Sequence, residues 1–372
     1  MSWDLFCRVI DNHGDMGVCW RLAADLAGRG ERVLLWVDDP SALAWMAPTR
    51  CAGVAVRAWP EDQHPTSHFA PGSVVIEAFG CELPAAFVAA MAAMATPPLW
   101  INLEYLSAEA YVERSHGLRS PQLSGPGAGL DKWFFYPGFT ARTGGLLREP
   151  GLDARQSNFD RKTWLAARGW APSGHEQVIV LFCYDNPALP QLIDSLSQRA
   201  TLLLACGSEA QRQLAQLRLP ASLRCIALPW LSQTDFDHLL WSADLNLVRG
   251  EDSFVRAMWA GASFVWQIYP QNDAAHASKL EAYLATFDSV TQMSHGPEWR
   301  ALNRAWNGLG PWPAHWPAAK DWAAACQRWR AHLCDQADLA SQLKQFAQET
   351  VRMHRAVTQA TPTTPIKHRG PA

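Results

Sequence analysis

LNLVRGEDSFVRAMWAG, residues 245–261, packs a strand, a tight turn and a helix start into seventeen positions, and its reading decides the fold. Leu245, Leu247 and Val248 end an apolar strand, Arg249-Gly250-Glu251-Asp252-Ser253 turns into a helix, and Gly261 marks that helix's far end. The turn gathers a guanidinium, two carboxylates and a hydroxyl beside the unpaired N–H groups and positive dipole end of a helix, where an anion is attracted. A phosphate site is one reading; a helix cap made by Asp252 or Ser253 is the other.

Outward from this stretch the same alternation continues. Strands at Val178 to Cys183, Thr201 to Ala205 and Leu223 to Ala227 alternate with helices at Pro187 to Gln198, Ser208 to Leu217 and Thr234 to Ser242. Strand Ser263 to Ile268 and helix Ala274 to Ala285 follow it. The first half opens with strand Trp3 to Ile10, the turn Asp11 to Gly17, helix Val18 to Ala27 and strand Val33 to Val37. Apolar runs at Val54 to Ala58, Ser73 to Ile76, Leu99 to Leu103 and Trp133 to Tyr136 extend it, while Ser120 to Gly145 reads as long surface loops. The pattern predicts an α/β chain of two Rossmann-like, doubly wound domains facing a central cleft. The domains are expected at residues 1–174 and 175–344, with a C-terminal helix at about 345–360 packing back on the first and a disordered tail at 361–372.

Length agrees, since 372 residues exceed the roughly 250–300 at which one core stops growing. A formal charge of -3 offers no bulk attraction to nucleic acid or an anionic membrane, so neither is expected as a partner. Nine scattered cysteines without a CxxC fit neither a zinc framework nor a disulfide scaffold. With no basic segment leading into an apolar run, and no long apolar stretch, a cytoplasmic protein is expected. Most of the nineteen tryptophans lie in apolar segments and are expected in cores.

Among the residues able to carry chemistry, Asp11 and Asp15 flank a glycine-bearing turn after the first strand; one can act as a general base, or they form an Asx-turn and a cap. That turn lacks GxGxxG, which argues against a nicotinamide or flavin cofactor. Phe182 and Tyr184, two apart at a strand end, share a face that can wall a nucleotide or belong to the core. Trp230 and Gln233 offer a ring to stack on and an amide to read a base edge. Asp235-Phe236-Asp237 has the bare DxD pattern, but three residues in a helix with no clustered histidines do not predict a metal.

WDLFC with DNHGDMGVCWRLA, then FCYDN, then RGEDSFVRAMWAG followed by WQIYPQ form an ordered set spanning nearly the whole chain. It resembles the EarP family, protein-arginine rhamnosyltransferases that modify translation elongation factor P. The resemblance implies a GT-B enzyme without cofactor, using TDP-β-L-rhamnose and forming an α-rhamnosyl arginine with inversion. Activation of the factor for ribosomes stalled at polyproline is implied with it. It further implies an acceptor-binding first domain, a donor-binding second domain and a monomer. By motif position Asp15 corresponds to the general base, Asp11 to the group orienting the acceptor guanidinium or the sugar, and Glu251 to an essential glutamate placed toward sugar or ribose hydroxyls. Phe182, Tyr184, Trp230, Gln233, Phe236, Arg249, Asp252 and Ser253 match positions around TDP, and Asn12, His13, Gly14 and Gly17 belong to the acceptor loop. His13 and Trp230 depart from the expected Tyr and Phe. Alternatives are a GT-B enzyme with another nucleotide sugar or acceptor, and a nucleotide-binding adaptor without catalysis.

Overall fold

The computed structural model describes residues 1–9, 13–59, 69–270 and 275–360. Asp11, Asn12 and the expected tail at 361–372 lie outside the described residues. Within them the chain forms two sheets. The first joins β1 (Ser2–Cys7), β2 (Arg32–Val37), β3 (Val54–Ala58), β4 (Val74–Ala78), β5 (Leu99–Leu103), β6 (Arg119–Pro121) and β7 (Asp131–Phe135) in the order β3-β2-β1-β4-β5-β7-β6. All its pairings are parallel except β6 on β7. The second joins β8 (Gln177–Leu181), β9 (Thr201–Ala205), β10 (Leu223–Ala227), β11 (Leu245–Arg249) and β12 (Ser263–Gln267) as a wholly parallel sheet, order β10-β9-β8-β11-β12.

The central strands read as apolar runs because a parallel sheet is covered on both faces. β4 and β5 are buried at every position, as are β9 and β12. In each sheet the order reverses beside the first strand, at β1/β4 and at β8/β11, and such switch points open a crevice at the strands' carboxyl ends. The loop after β1, FCYDN after β8 and RGEDS after β11 therefore all leave at crevices.

Packing shifts three sequence expectations. The stretch Ser120 to Gly145 contains an edge hairpin, β6 on β7, whose Pro121 is tolerated because an edge strand need not donate on both sides. Leu152, Leu165 and Trp170 join the core of the second domain, ahead of the expected boundary at 174. The C-terminal helix Leu339–Ala360 returns to the first domain from its beginning, not from 345: Leu339, Ala340, Leu343 and Ala347 are buried against Leu5, Leu22 and Ile101. Tryptophans 259, 299, 306 and 329 are core residues, as their apolar neighbours suggested. Among the described residues no helix is long and apolar enough to cross a membrane.

Leu343 is fully buried where the last helix crosses onto the first domain. Leu343→Ala should lower unfolding free energy by about 2–5 kcal/mol, read by urea denaturation.

Candidate active site

The turn after β11 is organised around Arg249. Its guanidinium lies 4.5 Å from the ring centroid of Phe182 and 4.4 Å from that of Tyr184. The two aromatics of FCYDN thus clamp a cation by the electrostatics of their faces. Phe236 meets Phe182 edge-on at 5.6 Å. Gly207, at φ 75°, lets the next loop approach: a Cβ there would sit 3.0 Å from the Phe182 ring. The Ser253 hydroxyl donates to the Arg249 carbonyl. The helix Asp252–Ala260 has Glu251 at its N-cap with no side-chain cap hydrogen bond, so neither Asp252 nor Ser253 makes the expected cap. Its first turn begins at the cavity-lining residues Asp252 and Ser253, and a helix start favours an anion.

Across from this turn lies the helix Gly14–Gly28 of the first domain, with Asp15, only 4% exposed, in its first turn. A carboxylate is stabilised there by the helix dipole. The two helices meet at Gly17. A Cβ at that position would lie 3.1 Å from Asp252 Oδ2 and 3.4 Å from the Gln233 amide nitrogen, so only glycine allows this approach without a shift. Gln233 Nε2 donates to the Gly17 carbonyl at 2.8 Å, and its amide serves the domain contact.

One helical turn further, Arg21 crosses between the domains. It donates to Asp237 Oδ1 at 3.0 Å and the Gln233 carbonyl at 3.3 Å, and pairs with Asp252 at 3.1 Å and Glu149 at 3.3 Å. Arg256, from the donor-turn helix, grips Asp237 with two bonds of 2.8 and 2.7 Å and Glu149 with one of 2.8 Å. Two guanidiniums and three carboxylates thus form one buried network. Burial alone would raise the Glu149 carboxyl, but Arg256 and Arg21 outweigh it and pull it down to about 2. For Asp252, burial dominates and moves the carboxyl upward despite the same two guanidiniums. The DxD pair is accounted for in this way: Asp237 belongs to the network, and Asp235 pairs with Arg168 at 2.5 Å while its backbone N–H donates to the Ser232 hydroxyl that caps the helix.

Glu251 also crosses the cleft. One of its carboxylate oxygens accepts from the backbone N–H of Leu106, just beyond β5, a partner that spacing did not indicate. A cavity of about 100 Å³, open to solvent, lies between these elements. Phe182, Tyr184, Trp230, Phe236, Arg249 and Ser253 line it from the second domain, and His13, Gly14 and Trp45 from the first. Trp230 is 47% exposed and lies 4.7 Å from Trp45, with the His13 ring edge-on to both at 5.7 and 5.4 Å.

Sequence reasoning missed Arg21, Trp45, Glu149 and Arg256. Arg21 carried a faint signal, being a charge flanked by the buried positions Cys19, Leu22 and Ala23. Trp45 carried none, for its short helix Leu43–Met46 reaches the cavity only through tertiary packing.

A family model described as Elongation-Factor P (EF-P) rhamnosyltransferase EarP matches residues 3–348. The chain belongs to the EarP family. The protein-arginine rhamnosyltransferase of Pseudomonas putida is 44% identical over 379 residues, covering 93% of this chain and 98% of the relative. That of Pseudomonas aeruginosa is 41% identical over 376 residues, with the same coverage, 93% and 98%. A solved EarP structure, described as the basis for EarP-mediated arginine glycosylation of translation elongation factor EF-P, is 31% identical with a TM-score of 0.64. It covers 94% of this chain and 99% of its own. The glycosyltransferase VinC, solved with DTDP, is 12% identical with a TM-score of 0.53, covers 95% of this chain and 100% of its own, and shares the fold. This EarP-family chain is therefore a protein-arginine rhamnosyltransferase built on the GT-B fold.

The buried network yields two expectations. Arg256→Ala leaves Asp237 and Glu149 short of a partner and should cost about 3–5 kcal/mol in chemical denaturation. Glu149, held below its ordinary 4.5, binds its proton less tightly when folded than unfolded, so its contribution is whole above pH 4.5 and is lost as pH falls toward about 2. Denaturation midpoints taken from about pH 6 down to about 3 should therefore fall more steeply for the wild type than for Glu149→Gln.

Proposed function

We propose that this enzyme transfers rhamnose from TDP-β-L-rhamnose, with inversion, to an arginine side chain of translation elongation factor P, activating it for ribosomes stalled at polyproline. It does so in the cytoplasm, as a monomer and without a metal. The observation that carries this reading is the meeting of the Asp15 helix with the Arg249 turn across one cavity, the helices touching at Gly17 and Asp252.

Free arginine lies about nine pH units above an aspartate, so outright deprotonation by a carboxylate would cost roughly 12 kcal/mol. The proton instead leaves as the bond forms. Attack by a guanidine nitrogen on the anomeric carbon withdraws its lone pair from delocalisation and acidifies its N–H, and Asp15 accepts that proton. Asp11, outside the described residues, is the proposed second carboxylate that orients the planar donor fork.

On the far side of the anomeric carbon the bond to the diphosphate oxygen breaks. Arg249, held rigid between Phe182 and Tyr184, meets the growing negative charge, aided by the Ser253 hydroxyl and the N–H groups of the helix Asp252–Ala260. Arg21 beside Asp252 offsets a carboxylate that would otherwise repel the leaving group. Trp230 stacks on the thymine, Phe236 completes the wall around TDP, and Glu251 links the donor turn to the acceptor domain through Leu106. A nucleophile and a leaving group on opposite faces of the carbon give a single displacement with inversion.

Intact-mass spectrometry of elongation factor P after incubation with the enzyme and TDP-rhamnose should show a gain of one deoxyhexose. No gain under conditions where TDP binds would refute the reading. Asp15→Asn should retain TDP affinity while losing transfer by about 10²–10⁴-fold; equal loss of both would move Asp15 into folding or donor binding.

A further inference from the structure

Tyr105 follows β5 at the crevice of the first sheet, and none of the motifs contains it. Its hydroxyl donates to Asp15 Oδ1 at 3.4 Å. Its ring is stacked on Phe79, with centroids 4.4 Å apart and planes 13° from parallel. Phe79 leaves β4 at φ 57°, a left-handed conformation that an aromatic residue adopts only when its surroundings impose it. Its N–H donates to the Leu103 carbonyl at 2.7 Å, which ties that conformation to β5. From the second domain, Lys279 Nζ lies 5.6 Å from the Tyr105 ring centroid. One residue earlier, the Ser278 hydroxyl donates to Glu109 Oε1 at 3.0 Å, fastening that helix, Ala275–Thr291, to the loop after Tyr105.

A strained phenylalanine and a lysine from the opposite domain hold the Tyr105 ring, and its hydroxyl points at the proposed base. We propose that Tyr105 is a positioning residue, fixing the rotation of the Asp15 carboxylate so that an oxygen lone pair faces the attacking guanidine nitrogen; this rests on Asp15 acting as base. The helix places the Asp15 backbone, but the terminal torsion of an aspartate is intrinsically broad and needs a partner to narrow it. A misdirected carboxylate loses rate without losing donor, because orientation enters the transition state and not the binding of TDP. A bond of 3.4 Å suits this role, since catalytic hydrogen bonds are often long before substrate binds and tighten afterwards.

Tyr105→Phe keeps the ring, its stack on Phe79 and its contact with Lys279, and removes only the hydroxyl. The test measures kcat and KM for TDP-rhamnose at saturating elongation factor P, with the thermal midpoint, for this variant and for Asp15→Asn in parallel. The inference predicts that Tyr105→Phe lowers kcat about tenfold, leaves KM within about twofold and leaves the midpoint unchanged. Wild-type turnover in Tyr105→Phe, or a proportionate rise in KM, overturns it, and with Asp15→Asn inactive the role of Asp15 then stands alone. Transfer retained by Asp15→Asn overturns the assignment of the base and this inference with it.

Discussion

The pairing of Arg21 with Asp237 and Asp252 is the contact on which the geometry of the cleft depends. Each doubly wound domain would complete its own core without it, so hydrophobic burial alone does not set the angle or spacing between them. Arg21 rises from the helix that carries Asp15, while Asp237 and Asp252 belong to the helices before and after β11. A buried ion pair is weak evidence for stability, but misregister here would leave buried charges without their partners. Arg256 and Glu149 close the network and remove the alternatives.

That constraint has chemical consequences. In the proposed mechanism a base and an anionic leaving group stand on opposite sides of one carbon, and each is drawn from a different domain. Gly17, where a Cβ would lie 3.1 Å from Asp252 Oδ2, lets the Asp15 helix come close to the Arg249 turn. Two rings hold the Arg249 guanidinium, proposed to meet the developing charge. Such preorganisation is where electrostatic stabilisation acquires its size.

The sheets and their order of elements were legible because parallel strands buried on both faces announce themselves as apolar runs, as Leu245 to Val248 does. That Arg249, Ser253, Phe182 and Trp230 line one cavity was legible because they sit at the carboxyl ends of such strands or in the loops that follow. Arg21 and Arg256 were not, since a guanidinium on an otherwise apolar helix looks the same whether it reaches solvent or a partner some 216 positions away. Gln233 and Asp252 stood out beside turns at strand ends, yet their partners Gly17 and Arg21 are set only by how the domains meet. The edge hairpin of β6 and β7 escaped notice for a local reason: Arg119 to Pro121 is too short and too polar to show a strand period.

A structure of the enzyme with TDP tests most directly whether one cleft, spanned by the Arg21 network, brings base and leaving group together. The account predicts the β-phosphate against Arg249, Ser253 and the start of the helix Asp252–Ala260, with Asp15 facing it across the width of one sugar. A diphosphate bound away from that turn, or an Asp15 separated from it by more than a sugar's length with Arg21 still paired to Asp237, would contradict it.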